Sequence, residues 1–253
     1  MTEHGRIRRV IIAGLLLALT LLLALIPGIG FIPVPTPAGN ATIVHIPAII
    51  GGILEGSLVG LVIGLGFGFA SLMRATIPAF KDPLVAILPR LFIGLVSAWV
   101  FSGFYHASKR TLMAGLTILV VVALVVVALL TGASPGALGW LQGLSETTAG
   151  SAAFTWWQGG LIALIMVGLA AGLMVWLQNE DRGIVATALA TAVGSLTNTV
   201  LVLGMATLRG YFTAGMSLVI ALAQGIPEMI VSVVVVVAVV AAVRQFGRRK
   251  ARL

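Results

Sequence analysis

The sequence predicts an all-α, polytopic membrane helix bundle, and three observations carry that prediction. Five glycines, Gly52, Gly56, Gly60, Gly64 and Gly68, recur every fourth residue inside an almost uncharged apolar stretch from Ile43 to Met73. The chain is 60% hydrophobic and 9% charged, with a mean hydropathy of +1.17; in a soluble domain about a quarter of the residues are charged. Its basic residues stand at the ends of apolar runs, as membrane topology demands. A net charge of +8 distributed in this way is a topology signal rather than a surface for nucleic acid.

The glycine period comes first. Residues four apart share one face of a helix, so this spacing lays a smooth strip along it. In water such a strip weakens a helix by up to about 1 kcal/mol per glycine relative to alanine. In lipid, small residues let backbones approach closely where apolar burial no longer drives association. Polar and basic residues flank the strip: Asn40, Thr42 and His45 before it, Ser71, Arg74, Lys81 and Arg90 after it. The pattern implies a polar site beside close-packed helices.

A bilayer core takes about 20 helical residues. Apolar segments fall at 8–26, 43–54, 57–75, 85–107, 111–131, 159–178, 184–207 and 214–243. The first follows a basic N-terminus, as a signal peptide would, but so many apolar segments follow that it is read as an uncleaved span. The second is short, which predicts a turn near Glu55-Gly56; one long tilted helix over 43–75 is the competing reading. Eight crossings put both termini on one side, together with Arg6, Arg8, Arg9, Lys109, Arg110, Arg182, Arg244, Arg248, Arg249, Lys250 and Arg252. By the positive-inside bias that side is the cytoplasm, which predicts a multi-pass membrane protein with both termini cytoplasmic. Merging the second and third segments would split the basic clusters, so charge favours the turn.

Arg74, Lys81, Arg90 and Arg209 then lie toward the outside, against the bias. Arg90 is the sharpest case, because it follows Pro89 within a span. An intramembrane arginine costs at least about 2.5 kcal/mol on insertion scales and usually faces a cavity or a partner. Two readings fit: a pocket for an anionic solute, or a structural arrangement such as an ion pair with Glu228 or snorkelling to the interface. Thr197, Asn198, Gln224, Glu228 and His45 fall at similar depth. Pro227 predicts a kink that frees a carbonyl near Gln224. Thr197 and Asn198 also suit plain bonds across helices, worth about 0.6 kcal/mol per pair. His45 suits a satisfied structural histidine as well as a ligand contact. The convergence of these groups on one depth is the stronger signal.

Several chemistries have no residues to carry them. With no cysteine, the chain has no disulfide or thiol nucleophile. Lys81, Lys109 and Lys250 are the only lysines, and none sits in a Gly-x-x-x-x-Gly-Lys-Ser/Thr loop, so the usual ATP cradle is absent. No His-Glu-x-x-His motif offers a metal site. Ser195 lacks the Gly-x-Ser-x-Gly setting of a hydrolase nucleophile. These mostly apolar helices also lack the repeated polar lining of a channel. No catalytic residue, metal or cofactor is therefore expected, and binding or transport of a small anion remains.

The motifs themselves resemble a family. Ala41-Thr-Ile-Val-His-Ile-Pro47, the glycine-rich run from Ile49 to Ser71, Asp82-Pro-Leu-Val-Ala-Ile-Leu-Pro-Arg-Leu-Phe-Ile-Gly94, Gly194-Ser-Leu-Thr-Asn-Thr-Val-Leu-Val-Leu-Gly204 and Gly225-Ile-Pro-Glu228 resemble the substrate-binding (S) components of energy-coupling-factor vitamin transporters. They look most like the pantothenate-type branch, over residues 10–107 and 184–243. The resemblance implies capture of a vitamin from outside by a subunit without its own ATPase. Delivery would need a transmembrane coupling (T) subunit and two cytoplasmic ATPases. The polar residues that flank the strip or converge at one depth, Asn40, Thr42, His45, Ser71, Arg74, Arg90, Thr197, Asn198, Gln224 and Glu228, are then the expected substrate contacts. Pantothenate is the leading vitamin; folate or a thiamin precursor is the alternative within the class, and an unrelated structural or enzymatic membrane protein the alternative outside it.

In such components small residues on the first helix dock the coupling subunit, and Ala13, Gly14 and Ala18 are the matching positions; ordinary helix packing is the other reading of these three. The stretch from Pro27 to Pro37 would correspond to the first extracellular loop, which caps the pocket. One departure is large. The family core has six helices, whereas residues 108–182 add two spans inside an otherwise single membrane domain, 1–253. Between them runs a segment, 132–158, with Trp140, Trp156, Trp157 and Glu146. A lid, an oligomer contact and a lipid-facing addition all fit it.

Overall fold

The computed structural model describes residues 3–34, 36–132, 168, 171–172 and 174–250. The segment 132–158 lies, but for Gly132, outside the described residues, and of the predicted span 159–178 they include 168, 171–172 and 174–178. The chain divides into two compact units, one comprising residues 1–112 and 181–253, the other 113–180. The smaller unit holds most of helix α7 (Lys109–Gly132).

Helix α1 (Glu3–Leu25) is leucine-rich and ends just before Pro27 and Gly28, the latter at φ 78°. A short antiparallel hairpin follows, β1 (Phe31–Pro33) with β2 (Asn40–Thr42), in the register Phe31↔Thr42, Ile32↔Ala41 and Pro33↔Asn40. Strand is a departure from the all-α expectation, confined among the described residues to these six. The prolines of this stretch have no N–H and resist a helix interior, while extended backbone tolerates them at an edge.

Helix α2 (Ile46–Glu55) starts with Pro47 in its first turn, where a missing N–H costs nothing. Every residue from Ile46 to Ile53 is buried, which is why this helix is apolar all round. Gly56, at φ 95°, breaks it, and α3 (Ser57–Met73) begins at once. The turn expected near Glu55-Gly56 is therefore present, and the single long helix over 43–75 is not. Arg9 Nη2 donates to the Glu55 carbonyl, and Arg8 lies 3.7 Å from the Glu55 carboxylate. This ties the start of α1 to the turn.

Two four-residue helices, α4 (Pro78–Lys81) and α5 (Pro83–Ala86), lead into α6 (Leu88–Phe104). Asp82 caps α5 by accepting the Leu84 N–H at 3.0 Å. Helix α8 (Arg182–Leu208) is the most buried of the membrane-length helices: Thr187 and Thr191 are buried and back-bond to the Gly183 and Thr187 carbonyls. Helix α9 (Ala214–Ile220) then passes through a π-helical turn, Ala221–Gly225, into α10 (Ile226–Lys250). Pro227 explains the turn. It has no N–H for the Ala223 carbonyl and its ring crowds that oxygen, so the helix widens just before it.

The glycine strip spans two helices, and both meet α6. A Cβ on Gly60 would lie 2.7 Å from the Gly94 carbonyl carbon, and one on Gly68 2.9 Å from Ile87 Cα. A Cβ on Gly64 would run into the Arg90 carbonyl, and one on Gly52, from α2, into that of Gly94. Gly56 is the turn itself. Beside this seam Ile49, Ile63, Phe67, Ile93 and Val236 form a common core.

Among the described residues, four helical segments are long and apolar enough to cross a membrane: Gly5–Leu25, Pro83–Phe104, Arg182–Leu208 and Ala214–Val243. Helices α2 and α3 are apolar but shorter. At 10 residues α2 covers roughly half the length a crossing needs. The architecture is an all-α membrane bundle with an interior helix.

Candidate functional site

A polar cavity opens at the end of the bundle where α1, α3 and α8 finish and α2, α6 and α10 begin. The hairpin contributes Phe31, Asn40 and Thr42, and the end of α3 contributes Ser71 and Arg74. Phe80 comes from α4 and Arg90 from the first turn of α6. Asn198 and Thr199 come from α8, Gln224 from the π turn and Glu228 from α10. Eight of the ten residues expected to hold a substrate line this space: Asn40, Thr42, Ser71, Arg74, Arg90, Asn198, Gln224 and Glu228.

Arg90 is only 5% exposed. Its Nη1 donates to the Val85 carbonyl, its Nη2 lies 3.5 Å from Ser71 Oγ, and its buried Nε has no partner. The guanidinium carbon stands 5.5 Å from the Phe67 ring centre and 5.7 Å from that of Phe80. Facing aromatic rings attract a cation through their quadrupole, so a charge with no contact ion pair among the described residues is held here by carbonyl and ring. Arg74 is placed similarly, donating to the Ala24 carbonyl at 2.7 Å with its guanidinium 5.4 Å from the Phe31 ring centre.

The ion pair of Arg90 with Glu228, one of the two readings of the sequence, is not formed. Glu228 Oε1 instead accepts the Thr42 backbone N–H at 2.7 Å. Gln224 Nε2 donates to Thr36 Oγ1. The hairpin is thus fastened to the π turn and α10 at two points, through residues that also face the cavity. Gly225 permits the approach of α8, because a Cβ there would lie 2.7 Å from Thr199 Cγ2. Asn198 Oδ1 is buried with no partner.

Two of the ten stand elsewhere. His45 is fully buried; its Nε2 lies 3.1 Å from Ser195 Oγ and 2.9 Å from Ser232 Oγ. Thr197 donates to the Val193 carbonyl of its own helix at 2.8 Å and does not line the cavity. On α1, Ala13 packs against the core, while Gly14 and Ala18 are exposed, with open space beyond Gly14. Arg209 has a structural partner, Asp82 Oδ2, at 2.8 Å; Tyr211 donates to the same oxygen at 3.3 Å. The Arg209 hydrogen bond, with the Leu84 N–H, holds the Asp82 carboxyl below its ordinary range.

Sequence reasoning missed the aromatic partners Phe31, Phe67 and Phe80, and also Thr36, Thr199 and Ser232. Ser232 alone had a signal, since it lies one turn from Glu228 on the same face. Among the described residues no three His, Asp or Glu side chains gather as a metal site would require. The arrangement suits binding: buried donors and acceptors around a cavity, with two cations and one carboxylate among its lining residues.

No curated protein matches the chain. The family model described as ECF transporter, substrate-specific component, matches residues 8–163, from α1 through α7 and beyond. That match covers more than half of the chain, which therefore belongs to the family of substrate-specific components of ECF transporters.

Proposed function

We propose that this protein captures a small anionic vitamin, pantothenate foremost, in the cavity beneath the hairpin. Members of its family are transport subunits that bind substrate and work with a T component and ATPases. One observation carries the anionic reading. Arg90 is a buried cation that makes no contact ion pair among the described residues, its Nε takes no hydrogen-bond partner from them, and it lines a cavity with polar walls. A substrate carboxylate would supply the missing charge-assisted bond.

In this reading the cavity faces outward, both termini are cytoplasmic, and a six-helix core carries the extra pair 108–182, eight spans in all. Gly14 and Ala18, open on α1, meet the coupling subunit. Asn40, Thr42, Ser71, Arg74, Asn198, Gln224 and Glu228 complete the substrate contacts, and His45 and Thr197 support them from behind. A thiamin precursor is the second reading, favoured by the Glu228 carboxylate on the cavity wall. Mass spectrometry of small molecules that co-purify with the full chain, with thermal shifts over a vitamin panel, tests both. Recovery of an acidic vitamin with a matching shift is expected. A shift with the thiamin precursor alone would replace the anionic reading; no shift with any vitamin would overturn the proposal.

A further inference from the structure

His45, Ser195 and Ser232 form a polar node inside the bundle, fully buried and apart from the residues that line the cavity. The three come from the start of α2, from α8 and from α10. Polar groups buried this deeply cost free energy unless their hydrogen bonds are made, so the position of each proton matters.

The protons can be assigned. Ser232 Oγ donates to the Glu228 carbonyl at 2.6 Å, one turn back on its own helix. That uses the hydroxyl's one proton, so toward the ring Ser232 only accepts. Nε2 of His45, 2.9 Å away, therefore carries the imidazole proton, with Ser195 Oγ also in reach at 3.1 Å. The opposite tautomer would set two lone pairs face to face. It would also bury an N–H at Nδ1, which has no partner among the described residues.

Each member of the node lies within four residues of a cavity residue. Ser232 follows Glu228 by four, Ser195 precedes Asn198 by three, and His45 follows Thr42 by three. The segment from Thr42 to His45 is tied to α10 at both ends, by the Thr42 N–H on Glu228 Oε1 at 2.7 Å and by the ring on Ser232. One tie would leave α10 free to turn about it; two, a helical turn apart, fix its height and its rotation. The constraint falls just after the π turn, where the α-helical register running from α9 to Glu228 is interrupted.

We infer that His45 is the positioning residue of the cavity: a neutral imidazole, protonated on Nε2, that holds Thr42, Asn198 and Glu228 in register without touching the ligand. This role rests on the reading of the cavity as the substrate site, and it names the side chain that joins three of its walls.

Two measurements on the purified full chain test it. The chain has three histidines, so 15N-histidine NMR shows three rings, and His45→Gln identifies the one in question. A pyrrole-like Nε2 with a pyridine-like Nδ1 is expected; a proton on Nδ1 would overturn the assignment. Calorimetry with pantothenate measures the positioning. His45→Leu keeps the bulk and removes the donor, and should weaken binding about tenfold, the scale of one lost buried hydrogen bond. His45→Gln returns an N–H near the place of Nε2 and should recover most of that loss. Ser232→Ala cuts the same link by removing one hydroxyl, and it carries the comparison if His45→Leu does not fold. Adding His45→Leu to Ser232→Ala should cost less than about threefold more, because changes within one network are not additive. Native affinity in folded His45→Leu or Ser232→Ala, with only a lowered melting temperature, would make the node purely structural and leave the substrate reading standing. Equal binding by the Leu and Gln variants, or losses that multiply in the double variant, would overturn the hydrogen-bonded link. A native chain that does not bind pantothenate would overturn the pantothenate reading and the positioning role together.

Discussion

Along α3, Gly60 and Gly64 press on the backbone of α6, and Gly68 on that of Ile87 just before it, with no room for a methyl group, whereas one turn further on Ser71 and Arg74 border an open polar cavity. The two regions share helices and obey opposite rules. In lipid, association gains little from burying apolar side chains, so the seam relies on backbone contact and dispersion. The cavity leaves donors and acceptors unbonded inside the protein, which is costly unless a ligand completes them. Arg90 belongs to both: its carbonyl abuts Gly64 while its guanidinium lines the cavity. The residue whose backbone closes the seam thus also supplies a cation of the cavity wall.

The largest effect should come from breaking the seam. Gly64→Leu sets a side chain against the Arg90 carbonyl, which belongs to a helix backbone and cannot turn aside. Overpacking of that kind should cost upwards of about 3 kcal/mol, seen as loss of monodisperse protein in size-exclusion chromatography. Gly14→Leu, with nothing within 4 Å of its Cβ, should keep native yield. Equal tolerance at both positions would end the distinction between seam and surface.

Arg90→Gln should act on the other side of the comparison, sparing the fold and sacrificing binding. Loss of one partner of a buried charged pair costs about 2–5 kcal/mol, or roughly thirtyfold to several thousandfold in affinity. Titration with pantothenate and with the corresponding alcohol measures it, and the alcohol should be affected much less. Near-native affinity of the folded variant for the acid would return Arg90 to a structural role.

The smallest effect belongs to Asp82 and Arg209, outside both regions. The Asp82 carboxyl is held low in the folded state. Its contribution to stability is therefore complete above the ordinary aspartate value of about 3.9 and declines as pH falls through the lowered folded value. Thermal unfolding of native protein should show that decline toward acid pH. Asp82→Asn should start slightly less stable at pH 7 and lack that part of the slope. Identical acid limbs would show that the pair contributes nothing measurable.

Much of the seam was legible in the sequence, because a period of four is a property of one segment read alone. The break at Gly56 was legible too, from charge balance and the shortness of the apolar run before it. The cavity was legible only as a set of polar residues at one depth. Thr197 and Asn198 are neighbours, about 100° apart around a helix, so one faces the cavity and the other bonds to its own backbone. No pattern within α8 gives that rotation. Glu228 is paired with a backbone N–H 186 residues away, and a backbone donor leaves no trace in composition. His45 sits directly before α2, where polar residues often face solvent or ligand, yet serines 150 and 187 residues further on draw its ring into the interior. The rings that hold Arg74 and Arg90 come from three separate elements, so their meeting is a product of tertiary structure.

The π turn at Ala221–Gly225 sets the clocking of the far wall. Its wider hydrogen-bond step holds one residue more than an α-helix would over the same arc, so α9 and α10 form a single rod whose halves are out of phase. Removing one residue there would restore a continuous α-helix and swing everything before it by about 100° relative to Glu228. Ile220 would leave the cavity wall with no change in any residue's chemistry. The wall can therefore be reshaped by chain length as well as by substitution, a freedom that the glycine seam, fixed on both sides by backbone, does not have.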